Sequence, residues 1–424
     1  MSLDPDAINY FKDNDILENP FDYFEALRAR GPISLEPHHD VMMCVGYDEA
    51  TAIYNEERFS SATAVTGPFP GFPVPLEGDD VSAIIEEHRA GLPFSDQLPT
   101  MDPPVHTEHR GLLMRMITPK RLRENEDFMW RLADRLIDPL VARGGCEFID
   151  DFAQPFAMLV IADLLGVPES DHADFQQKLL HHDQGGGIGG TGERPLGHSP
   201  LEYLYGRFAD YISERRATPK NDVLTEMANL SFPSGEMPEV MDVVRVASNL
   251  FAAGQETTVR LISSGLKILC EDKALQAELR NDRELIPGFV EETLRLESPV
   301  KGDFRLARTP IDVNGTRIPA GTQVMVLNAA ANRDPGKFEN PNLLDPRRAN
   351  ARQHLAFGRG PHTCPGAPLA RAETVVAFNR LFDRTRDIHI DEKVHGPAGA
   401  RDFRYVPTFI LRGLVRLHVV FDPA

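Results

Sequence analysis

One long apolar segment constrains the fold of this chain more than any other feature. Across residues 241–269, apolar and small side chains recur at spacings of three and four, the repeat of one face of an α-helix. At about 1.5 Å per residue this segment would span roughly 40 Å, the width of a whole domain. A helix so long and so apolar is expected to be buried. We therefore predict a central helix around which the rest of the chain packs.

The remaining segments predict a mainly α fold with a small β portion. Helical spacing is found at residues 50–55, 110–116, 121–143, 156–165 and 201–215. The strand signals are fewer: a hairpin over residues 311–318 around Asn314-Gly315, an alternating run at 322–327 and a C-terminal strand at 414–421. No repeat or low-complexity linker divides the chain. We expect a single domain, residues 1–424.

Charge and composition exclude several classes of partner. The formal net charge is −19, which argues against nucleic acid because phosphate binding needs a positive surface. There is no run of about 18 apolar residues and no basic-then-apolar start, so we expect neither a membrane anchor nor a secretory signal. The four cysteines are far apart, which suggests no disulfide framework or zinc ribbon. A cytoplasmic monomer is the expectation.

Two segments are predicted to be loops. Residues 66–75 alternate Pro with aromatic residues, which excludes a helix or a central strand. Residues 185–192 are glycine-rich but lack the Gly-Lys-Ser/Thr ending of a phosphate-binding loop. Each segment is either a plain surface loop or a mobile lid over a buried pocket, and both interpretations stay open.

The densest signal surrounds Cys364. Residues 357–366 read Phe-Gly-Arg-Gly-Pro-His-Thr-Cys-Pro-Gly, and a helix is predicted to begin just after them. Backbone N–H groups and the positive end of that helix would face the sulfur and favour its thiolate. The segment resembles the haem-binding loop of the cytochrome P-450 superfamily, Phe-Gly-x-Gly-x-His-x-Cys-x-Gly, at every fixed position. The resemblance implies that Cys364 is the axial ligand of the haem iron, with Phe357, Gly358 and Gly366 beside the cofactor.

A second motif is an acid and a base three residues apart. Glu292 and Arg295 would share one face of a predicted helix and could pair. The superfamily carries a Glu-x-x-Arg pair here, clamped by an arginine upstream of the haem loop. The resemblance assigns that structural role to Arg348, with Arg347 as a near rival.

The central helix carries residues that weaken a helix interior. Gly254, Glu256 and Thr257 lie within Ala-Gly-Gln-Glu-Thr-Thr, residues 253–258, and a Glu in an apolar helix is costly unless it is used. The alternative is a glycine packing contact with a capped threonine. The superfamily has an acid–alcohol pair at this point, so the resemblance gives Glu256 and Thr257 a catalytic role in proton delivery. Ala253 and Gly254 would lie against the cofactor.

Cationic and polar groups are available for the two haem propionates. His106 and Arg110 are four residues apart on one predicted helix face, a spacing that suits a carboxylate. The resemblance places this pair on a propionate and adds Arg305 and His362. Buried carboxylates need such partners.

The resemblance implies a haem b (iron protoporphyrin IX) monooxygenase of the soluble bacterial type, which uses dioxygen. No attached flavin or iron–sulfur segment is present, so electrons would come from a separate ferredoxin and its reductase. We expect that donor to dock on a basic group formed by Arg115, Lys120, Arg121 and Arg123, with Arg359 nearby. The alternative is that this group is only a solvated surface. The rival function is a non-catalytic haem-binding or ligand-sensing protein on the same fold.

The resemblance also places a substrate pocket above the haem. Its aromatic and aliphatic residues suggest an apolar small molecule such as a terpenoid, steroid or fatty acid, although nearly all such pockets are apolar. The predicted lining residues are Phe69, Phe72, Phe94, Phe251, Val300 and Phe409.

Overall fold

A computed structural model describes residues 3–179, 189–190 and 199–424. Helices dominate it, and none of those in the described ranges has the length and apolar character needed to cross a membrane. The α-helices are α1 (Asn14–Glu18), α2 (Phe21–Arg28), α3 (Tyr47–Asn55), α4 (Ser82–His88), α5 (Val105–Met116), α6 (Pro119–Ala142), α7 (Gln154–Leu164), α8 (His172–Leu179), α9 (Ser199–Ala217), α10 (Val223–Ala228), α11 (Val240–Glu271), α12 (Lys273–Asn281), α13 (Ile286–Glu297), α14 (Asn328–Ala331), α15 (Ala367–Arg384) and α16 (Glu392–His395).

Helix α11 is the predicted central helix. It has 32 residues and begins with a capping box, in which the Glu239 N–H donates to the Asp242 carboxylate at 3.1 Å. It packs against α7, α9, α13 and α15, and most of its apolar residues are buried. The apolar spacing of the sequence therefore identified the element that organises the helical half of the molecule.

The strands form three small sheets. Their bounds are β1 (Ile33–Glu36), β2 (Val41–Cys44), β3 (Phe59–Ser60), β4 (Gly145–Glu147), β5 (Asp303–Ala307), β6 (Ile311–Val313), β7 (Thr316–Ile318), β8 (Gln323–Val326), β9 (Thr385–Ile390) and β10 (His418–Pro423). The largest sheet has the order β1-β2-β8-β5-β3, and it is antiparallel except where β2 pairs with β8. The others are β4-β10-β9 and the hairpin β6-β7.

Two strand predictions are confirmed and one is corrected. The hairpin pairs Ile311 with Ile318 around the left-handed Asn314, and β8 lies within the alternating run at 322–327. The C-terminal strand begins at His418 rather than at residue 414. Leu414 instead makes an isolated bridge to Tyr405, which turns this part of the chain away from a regular ladder.

The core divides between helices and sheet. One large cluster joins the interior faces of the helices from α5 to α15, including α11 but not α14. A second joins the N-terminal segment, β2, β5, β8 and the turn at residues 409–411. The segment after β8 and before α15, which carries Cys364, follows the sheet region and leads back into the helical half.

Candidate active site

Glycines shape the loop that carries Cys364. Gly358 and Gly360 have φ values of +63° and +71°, in the left-handed region. A Cβ on Gly360 would lie 2.3 Å from the carbonyl oxygen of Tyr54, so no other residue fits without a shift of the backbone. The Cys364 N–H donates to the Phe357 carbonyl at 2.8 Å. The loop is therefore closed on itself just before α15.

The surroundings of the Cys364 sulfur have opposing effects on the pKa of its thiol. Burial raises the pKa of the thiol, while N–H groups of Gly366 and Ala367 and the charge of Arg110 lower it. The net result is a pKa above the ordinary value, which corrects the expectation that the loop alone favours the thiolate. The sequence argument counted the donors and not the burial. A thiolate here needs a positive charge in contact with the sulfur, such as a metal ion would provide.

The predicted propionate ligands come from three separate parts of the chain. The ring centroids of His106 on α5 and His362 are 3.9 Å apart. Arg110 on α5 donates to the Thr363 carbonyl at 2.5 Å. Arg305 on β5 is almost completely buried and lies 5.1 Å from the Tyr54 ring. The structure therefore brings all four predicted groups to the side of the cysteine loop.

These four groups form a site suited to an anion. Burial, with the charge of Arg110, lowers the pKa of His106 to about 4, and burial with the charge of Arg305 lowers that of His362 to about 3. His106 Nε2 is buried without a hydrogen-bond partner among the described residues. A carboxylate would supply that partner and offset the repulsion among the cations.

The middle of α11 includes exposed residues, whereas residues on either side of it are buried. Ala253 and Glu256 are exposed, whereas Phe251 and Val259 on the same helix are buried. The Thr257 hydroxyl donates to the Ala253 carbonyl at 2.9 Å. The acid and the alcohol are therefore accessible at the centre of the molecule.

Close packing does not explain the glycine in this segment. A Cβ on Gly254 would lie 3.6 Å from Ile161 Cδ1, an ordinary van der Waals distance. The alternative of a glycine packing contact therefore lacks its main support. The capped threonine of that alternative is present, since Thr257 bonds within the helix.

Glu292, Arg295 and Arg348 form a buried ionic cluster. Arg295 donates to both Glu292 oxygens at 2.6 and 2.8 Å, and Arg348 Nε donates to one of them at 3.0 Å. Arg347 turns to the surface and pairs with Glu278 at 2.5 Å. Of the two rival arginines, Arg348 is the one in contact with the pair.

Known proteins share this architecture. A sequence model of the family described as Cytochrome P450 matches residues 209–386. Cytochrome P450 144 of Mycobacterium tuberculosis is 31% identical over 428 residues, which cover 99% of this chain and 92% of that protein. The chain belongs to the cytochrome P450 family. Members of this family bind haem through a cysteine thiolate, and this P450 is a monooxygenase, an oxidoreductase.

Two further relatives support the assignment over the whole chain. The P450 monooxygenase PikC of Streptomyces venezuelae is 31% identical over 96% of this chain and 92% of its own length. The structure of Mycobacterium marinum cytochrome P450 CYP150A6 in the substrate-free form has a TM-score of 0.93 and 48% identity, covering 99% of this chain and 100% of that one. The P450 fold is therefore shown for the described residues.

The residues of this P450 fit a haem. The buried and unpartnered Nε2 of His106, with Arg110, Arg305 and His362, provides partners for two propionates. Cys364 lies where burial makes a ligated metal the natural counterpart of its sulfur. When bound, the haem supplies the oxidising chemistry, which thiolate ligation directs toward O–O cleavage.

Only some of the predicted pocket residues lie together. Phe69 and Phe409 have ring centroids 5.9 Å apart, and Val300 packs against the same cluster. Phe251 is fully buried between Phe175 and Phe208, and it packs as a core residue of the P450.

The other two predicted pocket residues lie on separate loops. Phe72 packs against the cluster around Ile85. Phe94 has a left-handed φ of +59°, and its carbonyl accepts the Thr100 hydroxyl at 2.5 Å. Phe69, Val300 and Phe409 thus share one apolar cluster, and a pocket lined by all six residues stays a prediction.

The two predicted loops differ in how much is described. Residues 66–75 form neither helix nor strand, and Phe69 within them packs on Phe11. The glycine-rich segment at 185–192 lies outside the described residues except for 189–190. There the Phe409 N–H donates to the Gly189 carbonyl at 2.8 Å, so this point of the segment touches the turn that carries Phe409.

The basic group is only partly free of ion pairs. Lys120 is 77% exposed and lies 3.7 Å from Glu124. Arg121 pairs with Glu226 at 2.9 Å, and Arg123 is exposed. Arg115, on α5, donates to the Ser231 carbonyl at 2.8 Å.

Sequence reasoning missed a second acid beside the central helix. Glu373 on α15 is 1% exposed, and its Oε2 has no hydrogen-bond partner among the described residues. Burial raises its pKa well above the ordinary value, against a hydrogen bond from Thr258 on α11. The rule that singled out Glu256, an acid in an apolar helix, applies equally to Glu373 and would have found it.

Proposed function

We propose that this P450 uses haem b to insert one atom of dioxygen into a C–H or C=C bond of an apolar small molecule. The observation that carries the proposal is the exposure of α11 between Ala253 and Thr257. The Glu256 carboxylate and the Thr257 hydroxyl are accessible there, in the middle of the central helix. A protein that only stored or sensed haem would need the cysteine loop but no such pair.

We assign each group a role in that reaction. Cys364 would hold the haem iron through its thiolate, and His106, Arg110, Arg305 and His362 would hold the propionates. Glu256 moves protons between solvent and the Thr257 hydroxyl, which carries them to the place where dioxygen binds. The residues that would lie against the haem are Phe357, Gly358, Gly366, Ala253 and Gly254. The cluster of Glu292, Arg295 and Arg348 keeps the haem side of the core together.

The substrate is proposed to be of terpenoid, steroid or fatty-acid type. Phe69 and Val300 are only partly buried, and they pack against the apolar cluster of Phe304 and Phe409, which joins the loop at 66–75 to β5 and the C-terminal turn. Such a surface offers burial but few hydrogen bonds, so it favours molecules that gain mainly from leaving water.

Electrons are proposed to come from a ferredoxin-type protein that docks on Arg115, Lys120, Arg121 and Arg123. Charge reversal at Lys120 and Arg121 should slow the first electron transfer and weaken its dependence on salt. Arg317, exposed on the β6–β7 hairpin, provides the matched control for charge reversal. An unchanged rate in the Lys120 and Arg121 variants would refute this docking site. We further propose a cytoplasmic monomer with one haem domain over residues 1–424, which light scattering would test.

The reduced protein with carbon monoxide tests the central proposal. Its difference spectrum should show the band of cysteine-thiolate ligation, and Cys364→His should abolish that band. Extraction of the haem as free iron protoporphyrin IX identifies haem b. Substrate binding is then followed by the spin-state shift of the ferric protein over a set of terpenoids, steroids and fatty acids. Absence of the thiolate band in the unaltered protein, or no turnover with any reductase and shifted ligand, would overturn the proposal.

A further inference from the structure

A buried ionic network lies directly against the first residue of the cysteine loop. Glu291 on α13 accepts hydrogen bonds from Arg371 on α15 at 2.6 and 3.0 Å, and His354 Nε2 lies 3.0 Å from the same carboxylate. The Ala356 N–H donates to His354 Nδ1 at 3.2 Å, so Nε2 carries the proton that faces Glu291. The Arg371 guanidinium lies 4.7 Å from the centroid of the Phe357 ring.

We call Glu291, His354 and Arg371 the Glu291 network. Glu291 is 3% exposed. Burial alone would raise its pKa, but the hydrogen bonds from His354 and Arg371 hold it at about 2, so the carboxylate stays ionised. The bidentate contact fixes the plane of the guanidinium, and that plane determines how the charge meets the aromatic ring.

The network also reaches the ligand residue itself. Phe357 accepts the Cys364 N–H at 2.8 Å, so the ring stacked by Arg371 belongs to the residue that anchors the cysteine backbone. Arg371 lies seven residues after Cys364 and is the fifth residue of α15. Arg371 is therefore linked to the cysteine through Phe357, by the contact with its ring and by the backbone hydrogen bond that Phe357 accepts.

We propose that Arg371, held in place by Glu291, is a positioning residue that raises the reduction potential of the cysteine-ligated haem iron. A fixed positive charge beside the thiolate stabilises the state of the site that carries one more electron. Glu291 has the opposite charge and opposes that effect, while its two hydrogen bonds keep the guanidinium on the ring. The inference depends on the proposed cysteine-ligated haem.

The chain provides a matched control at the same carboxylate. Arg352 Nε lies 3.6 Å from Glu291, but its side chain is 76% exposed. Solvent screens a charge in that position, so removing it should leave the iron almost unaffected. Arg352→Gln and Arg371→Gln thus each remove one positive charge that pairs with Glu291. Of these two arginines, Arg371 is the one that stacks on Phe357.

Spectroelectrochemical titration of the purified haem-loaded protein gives the midpoint potential of each variant. We expect Arg371→Gln to shift the potential to more negative values and Glu291→Gln to shift it to more positive values. The double variant should return toward the unaltered protein, Arg371→Lys should lie between it and Arg371→Gln, and Arg352→Gln should not change. Loss of fold in Arg371→Gln would leave Arg371→Lys and the double variant to decide.

Opposite signs distinguish electrostatic tuning from simple loosening of the loop. Equal potentials in Arg371→Gln and Arg352→Gln would overturn the inference, as would shifts of the same sign in Arg371→Gln and Glu291→Gln. The carbon monoxide band is recorded for every sample first. A missing band in the unaltered protein refutes the haem-thiolate assignment, whereas normal bands with unchanged potentials refute only the role of Arg371.

Discussion

Glu256 and Arg260 form an ion pair one turn apart on α11, with the Glu256 side chain 46% exposed and the Arg260 side chain 8% exposed. The arginine side chain packs on Gly413, where an added Cβ would lie 2.5 Å from Arg260 Cγ. The acid is therefore held from one side by a residue wedged between α11 and the C-terminal turn. The Thr257 hydroxyl bonds separately to Ala253, so acid and alcohol are restrained by different partners.

Thr257→Val removes the hydroxyl while keeping the shape of the side chain. We expect more hydrogen peroxide released per electron consumed, and less product, because proton delivery to bound dioxygen loses its last carrier. Peroxide and product are measured against NADH consumption. Thr293→Val is the control, since the Thr293 hydroxyl makes the same bond to the carbonyl four residues earlier, at 2.9 Å, on α13. Equal coupling in both variants would remove the role of Thr257.

The fold was largely predictable because its signals are local. The apolar spacing of α11 and the Asn314-Gly315 turn depend only on neighbouring residues, and both predictions hold. Strands β1 to β5 and β9 were not predicted. Their segments are short, between two and six residues, and apart from the local pairing of β1 with β2 their partners lie far away in sequence.

The sequence predicted which residues belong to the site better than it predicted their burial and their contacts. The motif placed Glu292 and Arg295 on one helix face, and the structure pairs them. The role of Cys364 as the haem ligand stays a prediction. The burial that raises the Cys364 pKa and the contact of Glu291 with Arg371 arise only when distant helices pack. Such effects have no signature in a single sequence, because desolvation depends on everything that surrounds a group.

Gly254→Ala tests whether the glycine of α11 serves function or packing. Because the added methyl group meets Ile161 at an ordinary distance, we expect unchanged or higher stability, by up to about 1 kcal/mol, with reduced turnover. Gly265→Ala on the same helix is the contrast: its Cβ would lie 2.6 Å from Phe378 Cζ, so it should destabilise the protein. Urea unfolding and turnover are measured for both. Full activity in Gly254→Ala would contradict a functional need for the glycine.

Arg348→Met tests the contribution of the buried ionic cluster to stability. Its control is the same substitution at the more exposed Arg347. Removing Arg348 leaves Glu292 short of one partner in the interior, and we expect a loss of about 3 kcal/mol in the free energy of unfolding. Arg347→Met breaks a pair whose side chains are 55% and 41% exposed, so the loss should stay below about 1 kcal/mol. Urea unfolding followed by circular dichroism measures both. Equal losses would show that Arg348 does not hold the cluster.

Acid should weaken the protein through Glu291. Burial would raise the pKa of this carboxyl, but His354 and Arg371 lower it from an ordinary 4.5 to about 2. A group whose pKa is lowered on folding stabilises the folded state above its unfolded pKa, and that contribution is lost as the pH falls from 4.5 to about 2. The shift corresponds to about 3 kcal/mol. Glu291→Gln should therefore be less stable near neutral pH and lose less stability on acidification, as measured by urea unfolding at about pH 6 and pH 3. The control is Glu124→Gln at an exposed position, which should have the stability of the unaltered protein at both pH values. If Glu291→Gln loses as much stability on acidification as the unaltered protein does, Glu291 does not cause the acid sensitivity.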